Sequence, residues 1–565
     1  MAATLRDYQL QAKQDSMSRF SNGVRSGLIV MPTGTGKTET FLSIAHNWPQ
    51  GHVLVLAHRE ELIWQPWRRW KKNTGEYGDI EMAEYQRPRL SLSSITFASK
   101  DTLYRDRRLR GAFPDPRKVG LIIIDEAHHA VRSNKTYQKI LDYFDHPDLC
   151  VLGVTATPDR ADEKALGQTF DEVLFDYPLL DPNGGPSAIS DGWLCPIRQQ
   201  YVTVEELNFD DISCRGGDFV DAALERELVR ERILHRLTSP TMQMSDGQTL
   251  VFAAGVKQAS RMTEIFNRYK PASSYCLVSR VDKDDRHDAV ILSHDKQDRR
   301  RMLDNFSKGA FQFAVNVGCL TEGFDSPAVR TLSMGRMTRS RSLYAQMAGR
   351  GTRVLPNVIE GDGWRFGTPE ERKAAIVDSD KPYVTILDFV GNSRHSLVSA
   401  ADILGGSYDD DVVERAKDNA KSKDERDEVD VAEELRKAAE EVRVEKEKRA
   451  RIRATAKVKT RAVDVFGAIG AVSTREPGWH KGRQPTTKQR QALEKFKVEP
   501  HVVESMSFHQ ASQALDSLID RSRRGLATYK QCKLLKKHNV GTKELTFKKA
   551  SYLIGCLARN NWRHL

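Results

Sequence analysis

Leu28-Ile-Val-Met-Pro-Thr-Gly-Thr-Gly-Lys-Thr-Glu39 is the stretch from which the rest of this chain is read. An apolar run, Leu28 to Met31, enters a loop with glycines at 34 and 36, then leaves through Lys37 and Thr38 into a helical stretch, Glu39 to Trp48. In a strand, glycine-rich loop and helix, successive backbone N–H groups can converge on one phosphate, and the helix start adds its positive dipole end. Thr33, Gly34, Thr35 and Gly36 make such a cradle; Lys37 can reach the β/γ-phosphates and the Thr38 hydroxyl can ligate Mg²⁺. The first glycine of the general pattern is Met31 here, but the Gly36-Lys37-Thr38 end, which carries the chemistry, is intact. The bland alternative is a glycine-rich strand-to-helix turn with a surface lysine.

Outward from the loop, 565 residues are too many for one core, and three or so domains are expected. A net charge of +11 and a pI near 9.1 point to a polyanionic partner. Seven cysteines without a CxxC pair read as buried thiols of a reducing compartment, neither zinc ligands nor a disulfide framework. With no apolar run approaching ~18 residues, the expectation is a cytoplasmic chain with no membrane role.

Short apolar runs recur between helical stretches: His52–Ala57, Ser94–Ala98, Val119–Ile124 and Cys150–Val154. That alternation is the signature of a parallel sheet with its active loops at the strand C-terminal ends. Polar clusters follow these runs: His58-Arg59-Glu60, Ser99-Lys100-Asp101, Asp125-Glu126-Ala127-His128 and Thr155-Ala156-Thr157. Two adjacent carboxylates behind three isoleucines are costly to bury unless a metal or a reacting water uses them. Asp125 suits Mg²⁺ and Glu126 suits the base that orients an attacking water; the alternative is an ordinary acidic helix cap. Near the start, Gln9 can pair with the N6 and N7 edges of adenine.

Gly36-Lys37-Thr38, Asp125-Glu126-Ala127-His128 and Thr155-Ala156-Thr157 resemble motifs I, II and III of superfamily 2 helicases and translocases, in the DEAH-box lineage. The closer resemblance is to the branch of restriction-enzyme motor subunits and phage or bacterial recombination and repair helicases. It implies an α/β fold with two tandem RecA-like lobes, ATP and Mg²⁺ as ligands, Gln9 on adenine, and His58, Arg59 and Ser99 along a nucleic-acid strand. A second lobe without its own phosphate loop should follow and supply arginines. Ile189–Pro196 resembles the crossover between lobes. Thr321-Glu322-Gly323-Phe324-Asp325 resembles motif V, which implies Gly323 and Asp325 near the nucleotide and Thr321 near the strand. Gln346-Met-Ala-Gly-Arg350-Gly-Thr-Arg353 resembles motif VI. Gln346, Arg350 and Arg353 recur at spacings of three to four, which predicts one helix face, and arginine suits charge developing on a phosphoryl group.

Asp409 to Arg461 is nearly all charged residues and alanine, with a thin apolar stripe at Val431, Leu435, Ala438 and Val442; a solvated helical arm or partly disordered linker is expected. At the end the chain repeats itself. Thr487-Lys488-Gln489 recurs as Tyr529-Lys530-Gln531, and Ser507-Phe508-His-Gln-Ala511-Ser512 as Thr546-Phe547-Lys-Lys-Ala550-Ser551. This predicts a duplicated helical unit of about forty residues. Residues 485 to 565 hold sixteen Lys and Arg against six Asp and Glu, a surplus of ten out of the chain's eleven. Lys488 and Lys530 are therefore candidates for a phosphate-backbone grip, with protein docking as the alternative.

The expected division is 1–185 and 186–405 for the lobes, 406–484 for the arm and 485–565 for a small all-α basic domain. The expected function is an ATP-dependent DNA helicase or translocase on single-stranded, forked or junction DNA, in repair, recombination or phage-related DNA metabolism. Alternatives are a double-stranded DNA pump, an RNA helicase and a nucleotide-gated clamp.

Overall fold

The computed structural model describes residues 4 to 559 apart from 132–133, 157–165, 210–211, 216–217, 279–291, 294–295, 319–325, 361–366, 393–397, 406–407, 422–427, 456–464, 472–481 and 539. The inner strands of its first sheet are short, mainly apolar runs, as strands covered on both faces must be, whereas its two edge strands carry Asp79, Glu81, Glu172 and Asp176. β1 (Ser26–Val30), β2 (His52–Ala57), β3 (Asp79–Glu81), β4 (Ile95–Ser99), β5 (Val119–Asp125), β6 (Cys150–Thr155) and β7 (Glu172–Asp176) pair in the order β3-β4-β2-β5-β6-β1-β7. Every pairing is parallel. The loops after β1, β2, β4, β5 and β6 thus open on one edge of the sheet. Leu121 to Ile124 of β5 are fully buried, so the polar pair that follows is held by a rigid central strand.

A second sheet follows. β8 (Ile197–Asn208) leads in; β9 (Cys214–Arg215) and β10 (Asp218–Phe219) form a separate antiparallel ribbon. β11 (Gln248–Phe252), β12 (Ser274–Val278), β13 (Leu292–Ser293), β14 (Phe313–Val317), β15 (Val329–Met334), β16 (Val384–Asn392) and β17 (Val429–Asp430) complete it, in the order β13-β12-β14-β11-β15-β16-β8-β17. Only β17 runs antiparallel to its neighbour. The helix Val256–Tyr269 covers one face, with Phe266 stacked on Phe313 at 4.4 Å between ring centres. Two tandem parallel-sheet lobes of RecA-like type are therefore present, as the strand pattern and the resemblance led one to expect.

The chain divides into two compact units, and both sheets belong to the first. The second comprises residues 181–185, 405–418 and 435–565. In it, the charged stretch departs from the expectation of a solvated arm or linker. Val431–Thr455 is one helix, and its thin stripe, Val431, Leu435, Ala438 and Val442, is buried. Alanine lets a neighbouring backbone come close, so a stripe with few methyl groups still packs. Arg415 bridges Glu445 at 2.8 Å, and Lys446 lies 3.5 Å from Asp409 and 3.3 Å from Asp411. Arg415 and Lys446 thus tie the helices Asp410–Lys421 and Val431–Thr455 together.

The two repeats fold alike. Thr486 and Thr528 each cap a helix with a reciprocal Gln at the third position, Gln489 and Gln531. Gln489 Nε2 then donates to Ser512 Oγ at 2.7 Å, and Gln531 Nε2 to Ser551 Oγ at 2.8 Å. Leu493, Ala511 and Leu518 of the first copy, and Leu535, Ala550 and Leu557 of the second, share one core with the short helix Val465–Ile469.

Asp388 of β16 is buried in the second lobe, accepting from Tyr344 Oη at 2.6 Å and from Gln199 Nε2. Burial outweighs these donors and raises its carboxyl to about 7. An unfolded carboxyl titrates near 3.9, so between pH ~4 and ~7 the folded chain holds the extra proton. Stability from this group is full below that window and is lost as pH rises through it, by a few kcal/mol at most. We expect denaturant midpoints to fall from pH 5 to pH 7.5, and Asp388→Asn to flatten that fall.

Candidate nucleotide site

β1, between β6 and the edge strand β7, delivers its loop at the C-terminal ends of the strands. Gly34 and Gly36 sit at φ +93° and +80°, left-handed backbone that side chains rarely adopt. The helix Lys37–His46 begins directly after, with Thr38 in its first turn. Thr35 is fully buried and its hydroxyl donates to the Pro32 carbonyl at 2.7 Å. Two side chains brace the loop from behind: Gln9 Nε2 and the Tyr8 hydroxyl both donate to the Thr35 carbonyl, at 2.8 and 2.7 Å. Gln9 is itself fixed by the Arg6 N–H at 2.9 Å, leaving one further N–H and one lone pair on its amide. A Cβ on Gly36 would lie 2.4 Å from Gln9 Nε2.

The carboxylate pair stands at the end of β5. Asp125 is buried and accepts from the Glu126 N–H at 2.9 Å. Glu126 adopts φ +50°, a strained conformation for a residue with a side chain. Its buried Oε2 has no hydrogen bond and lies 3.4 Å from His128 Nδ1. A buried carboxylate oxygen on strained backbone is placed to accept from something other than the protein. His128 Nδ1 also meets Thr155 Oγ1 at 3.2 Å, joining the ends of β5 and β6.

The second lobe arrives at the same place. Gln346 Nε2 lies 3.5 Å from His128 Nε2. The helix Arg341–Ala348 stops before Arg350, so Gln346, Arg350 and Arg353 do not share one helix face. Gly349 closes the helix and Arg350 lies in the turn beyond it; Arg353 is in an antiparallel bridge to Leu194. Gly349 approaches Thr33 so closely that an added Cβ would sit 2.5 Å from Thr33 Cβ, while a Cβ on Gly34 would sit 3.5 Å from Arg353 Cγ. Lys381 Nζ fixes the Arg353 carbonyl at 2.7 Å, and the Cys195 N–H holds the Thr352 carbonyl at 2.7 Å. Lys37 donates to the Met31 carbonyl at 3.3 Å. Burial lowers the Lys37 pKa, Glu126 and Asp125 oppose that, and Arg350 and Arg353 add to it. The loop lysine, both carboxylates and both arginines thus share one field.

An aromatic cluster beside Gln9 was not anticipated. Tyr8 stacks on Tyr177 at 4.3 Å and meets Trp193 edge-on at 5.8 Å. Arg6 and Arg372 lie over the Trp193 ring at 4.4 and 3.9 Å. These residues are scattered from 6 to 372 without a spacing that links them; only Tyr8, adjacent to Gln9, offered a hint.

The remaining candidates lie elsewhere. His58 stacks edge-on against His129 at 4.3 Å, and Arg59 Nη1 reaches the Gly318 carbonyl at 3.4 Å. Ser99 ends β4 and stands at the N-cap position of the short helix Lys100–Leu103 without a side-chain capping hydrogen bond. Lys488 and Lys530 are exposed at matching positions of the two repeats. Thr321, Gly323 and Asp325, and Thr157 of the third motif, lie outside the described residues.

Residues 2–160 match the family model described as Type III restriction enzyme, res subunit, and residues 229–354 match the helicase conserved C-terminal domain. These matches support a superfamily 2 helicase of the restriction-subunit-like branch. Among individual proteins, the chain is 29% identical over 432 residues to IRC3 of Saccharomyces cerevisiae, described as an ATP-dependent helicase, covering 72% of this chain and 55% of that one. It is 26% identical to the Type I restriction enzyme EcoAI endonuclease subunit of Escherichia coli, over 62% of this chain and 44% of that one. It is also 26% identical to the DNA 3'-5' translocase XPB2 of Sulfurisphaera tokodaii, over 61% and 78%. The chain thus spans about half the length of the first two relatives. Among the described residues, no helix is long and apolar enough to cross a membrane.

Because Thr33 and Gly349 touch, Gly349→Ala should wedge the loop from the turn and destabilise the first unit by about 1–3 kcal/mol. Hydrogen exchange should rise together at residues 33–36 and 349–353, and Thr33→Gly should partly restore protection in the double variant.

Proposed function

We propose that this chain is an ATP-hydrolysing DNA helicase or translocase of the DEAH lineage, with lobes at 1–185 and 186–405, a charged arm at 406–484 and a basic helical domain at 485–565. The observation that carries the reading is the contact of the Thr33–Gly34 loop with the Gly349–Arg353 turn, beside a buried carboxylate that still has an acceptor oxygen to use. The glycine cradle, too tight for a Cβ at Gly36, fits a polyphosphate held by backbone N–H groups and Lys37. Thr38 and Asp125 are the residues that would hold Mg²⁺, which when bound neutralises phosphate charge. Gln9 is assigned to adenine.

In this reading Glu126 orients the attacking water and takes its proton, its Oε2 accepting no hydrogen bond from the protein although His128 Nδ1 lies 3.4 Å away. Arg350 and Arg353 offset charge developing on the transferred phosphoryl group, and because they come from the other lobe, hydrolysis depends on lobe closure. Gln346 reports that closure to His128, next to Glu126. From the resemblance, Gly323 and Asp325 complete the nucleotide side. His58, Arg59, Ser99 and Thr321 line the strand, while Lys488 and Lys530 hold backbone phosphates. We place the activity in the cytoplasm, in repair, recombination or phage-related DNA metabolism. The match to a restriction endonuclease subunit favours, as a second reading, a pump of double-stranded DNA that does not unwind.

The test is steady-state ATP hydrolysis alone and with single-stranded, duplex and forked DNA and with RNA. Glu126→Gln should lower the stimulated rate by about 10²-fold or more while nucleotide still binds. Arg350→Ala should lower it by ~10³-fold, and Lys37→Ala should abolish it. Stimulation by RNA alone would redirect the assignment to an RNA helicase; stimulation by duplex without strand displacement would favour the pump. A Glu126→Gln rate equal to wild type would sink the proposal.

A further inference from the structure

The two C-terminal repeats provide an internal control. They have the same capping boxes, the same glutamine-to-serine hydrogen bond and matching buried leucines and alanines. The capping and core requirements are shared by the two copies, so a difference at outer-face positions is not set by them, although His509 and Gln513 of the first copy are half-buried and hydrogen-bonded to each other at 2.9 Å. The second helix of each copy, Phe508–Arg523 and Phe547–Arg559, shows such a difference. At positions spaced i, i+4, i+7 and i+11, one outer face of a helix, the first copy carries His509, Gln513, Asp516 and Asp520. The second copy carries Lys548, Tyr552, Gly555 and Arg559 at the equivalent positions. The two carboxylates of one copy become a glycine and an arginine in the other, and the histidine and glutamine become a lysine and a tyrosine.

Tyr552 is 66% exposed, an unusual position for a ring in a helix with a well-filled core face. Lys548 and Arg559 are exposed on either side of it, about 6 and about 10 Å away along the helix axis. Lys549 adds a third cation, and the helix has no acidic residue. Between Tyr552 and Arg559, a Cβ on Gly555 would meet nothing within 4 Å, so the surface beside the ring is open.

We propose that Lys548, Tyr552 and Arg559 form a binding stripe for a single-stranded nucleic-acid segment, with one base stacked on the Tyr552 ring and flanking phosphates held by the two cations. The proposal rests on the nucleic-acid reading above and gives it a location and a strand preference. Stacking on an aromatic face is indifferent to base identity, but it needs a base that is not already stacked within a duplex. Cations alone would hold duplex and single strand alike; the ring is what makes the stripe selective. The second helix of the first copy, with two carboxylates on the same face, lacks such a stripe.

The experiment titrates the full-length chain with a fluorescein-labelled oligo-dT, a duplex of equal length and a poly-glutamate peptide over a range of salt. The variants are Tyr552→Ala, Tyr552→Phe, Lys548→Ala with Arg559→Ala, and His509→Ala with Gln513→Ala in the first copy. Tyr552→Ala should lose roughly five- to a hundredfold in oligo-dT affinity at an unchanged salt slope. Tyr552→Phe should bind as wild type, which separates stacking from any loss of fold. The double cation variant should flatten the single-strand slope by about 1.4, and the first-copy variant should change nothing. The stripe is overturned if Tyr552→Ala binds oligo-dT as wild type does, or if the first-copy variant loses as much. It is also overturned if Tyr552→Ala weakens only poly-glutamate, which would assign the face to an acidic protein segment. A wild-type chain that binds no oligonucleotide would instead fail the broader nucleic-acid reading.

Discussion

The constraint on which the site depends is the close contact of the Gly349 backbone with the Thr33 side chain. Gly349 of the second lobe meets Thr33 of the first at a distance that excludes a Cβ on the glycine. The loop on one side of that contact is held in left-handed conformations at Gly34 and Gly36, and braced from behind by Gln9 and Tyr8 through one carbonyl, that of Thr35. The turn on the other side is pinned by Lys381 and Cys195. Neither side can adjust alone: moving the loop breaks the bonds to Thr35, and moving the turn breaks those to residues 352 and 353. Close approach between two such rigid edges allows a displacement at the phosphate cradle to be felt by the other sheet.

Much of this was legible in the sequence, for a physical reason. Parallel strands buried on both faces must be apolar end to end, so β2 and β5 announce themselves, and the polar residues that follow fall at strand C-termini where loops can carry chemistry. The repeats were legible because capping and core positions recur at fixed spacing. β8 was not: it carries Gln199, Gln200 and Thr203, and its polar composition hides a strand whose Gln199 is satisfied by Asp388, nearly two hundred residues away. The arm misled in the opposite sense, because a stripe of alanine and valine looks too thin to bury, whereas small side chains allow close packing.

The candidate site was legible in its parts but not in its geometry. Spacing alone put Gln346, Arg350 and Arg353 on one helix, yet Gly349 and Gly351 end the helix early and carry the two arginines onto a turn and a bridge. The same glycine, Gly349, is what lets the turn approach Thr33 of the loop. The aromatic cluster around Trp193 could not be found from spacing, since it is assembled by the meeting of distant segments and not by any local pattern.

The charge in the cleft explains why lobe approach and nucleotide chemistry should be coupled. Lys37, Arg350 and Arg353 bring three positive charges near Asp125 and Glu126, which bring two, and the arginines push the Lys37 pKa down where the carboxylates push it up. Each lobe closure therefore moves cations toward a lysine already disfavoured by burial, and that approach is opposed unless negative charge is added between them. A polyphosphate supplies that charge in the cradle formed by the loop. Under the proposed function, a differential affinity for the closed arrangement is what a population shift requires, and cleavage and release would withdraw the charge again. On that same proposal, repulsion among these cations would couple nucleotide binding to lobe approach without a separate sensor.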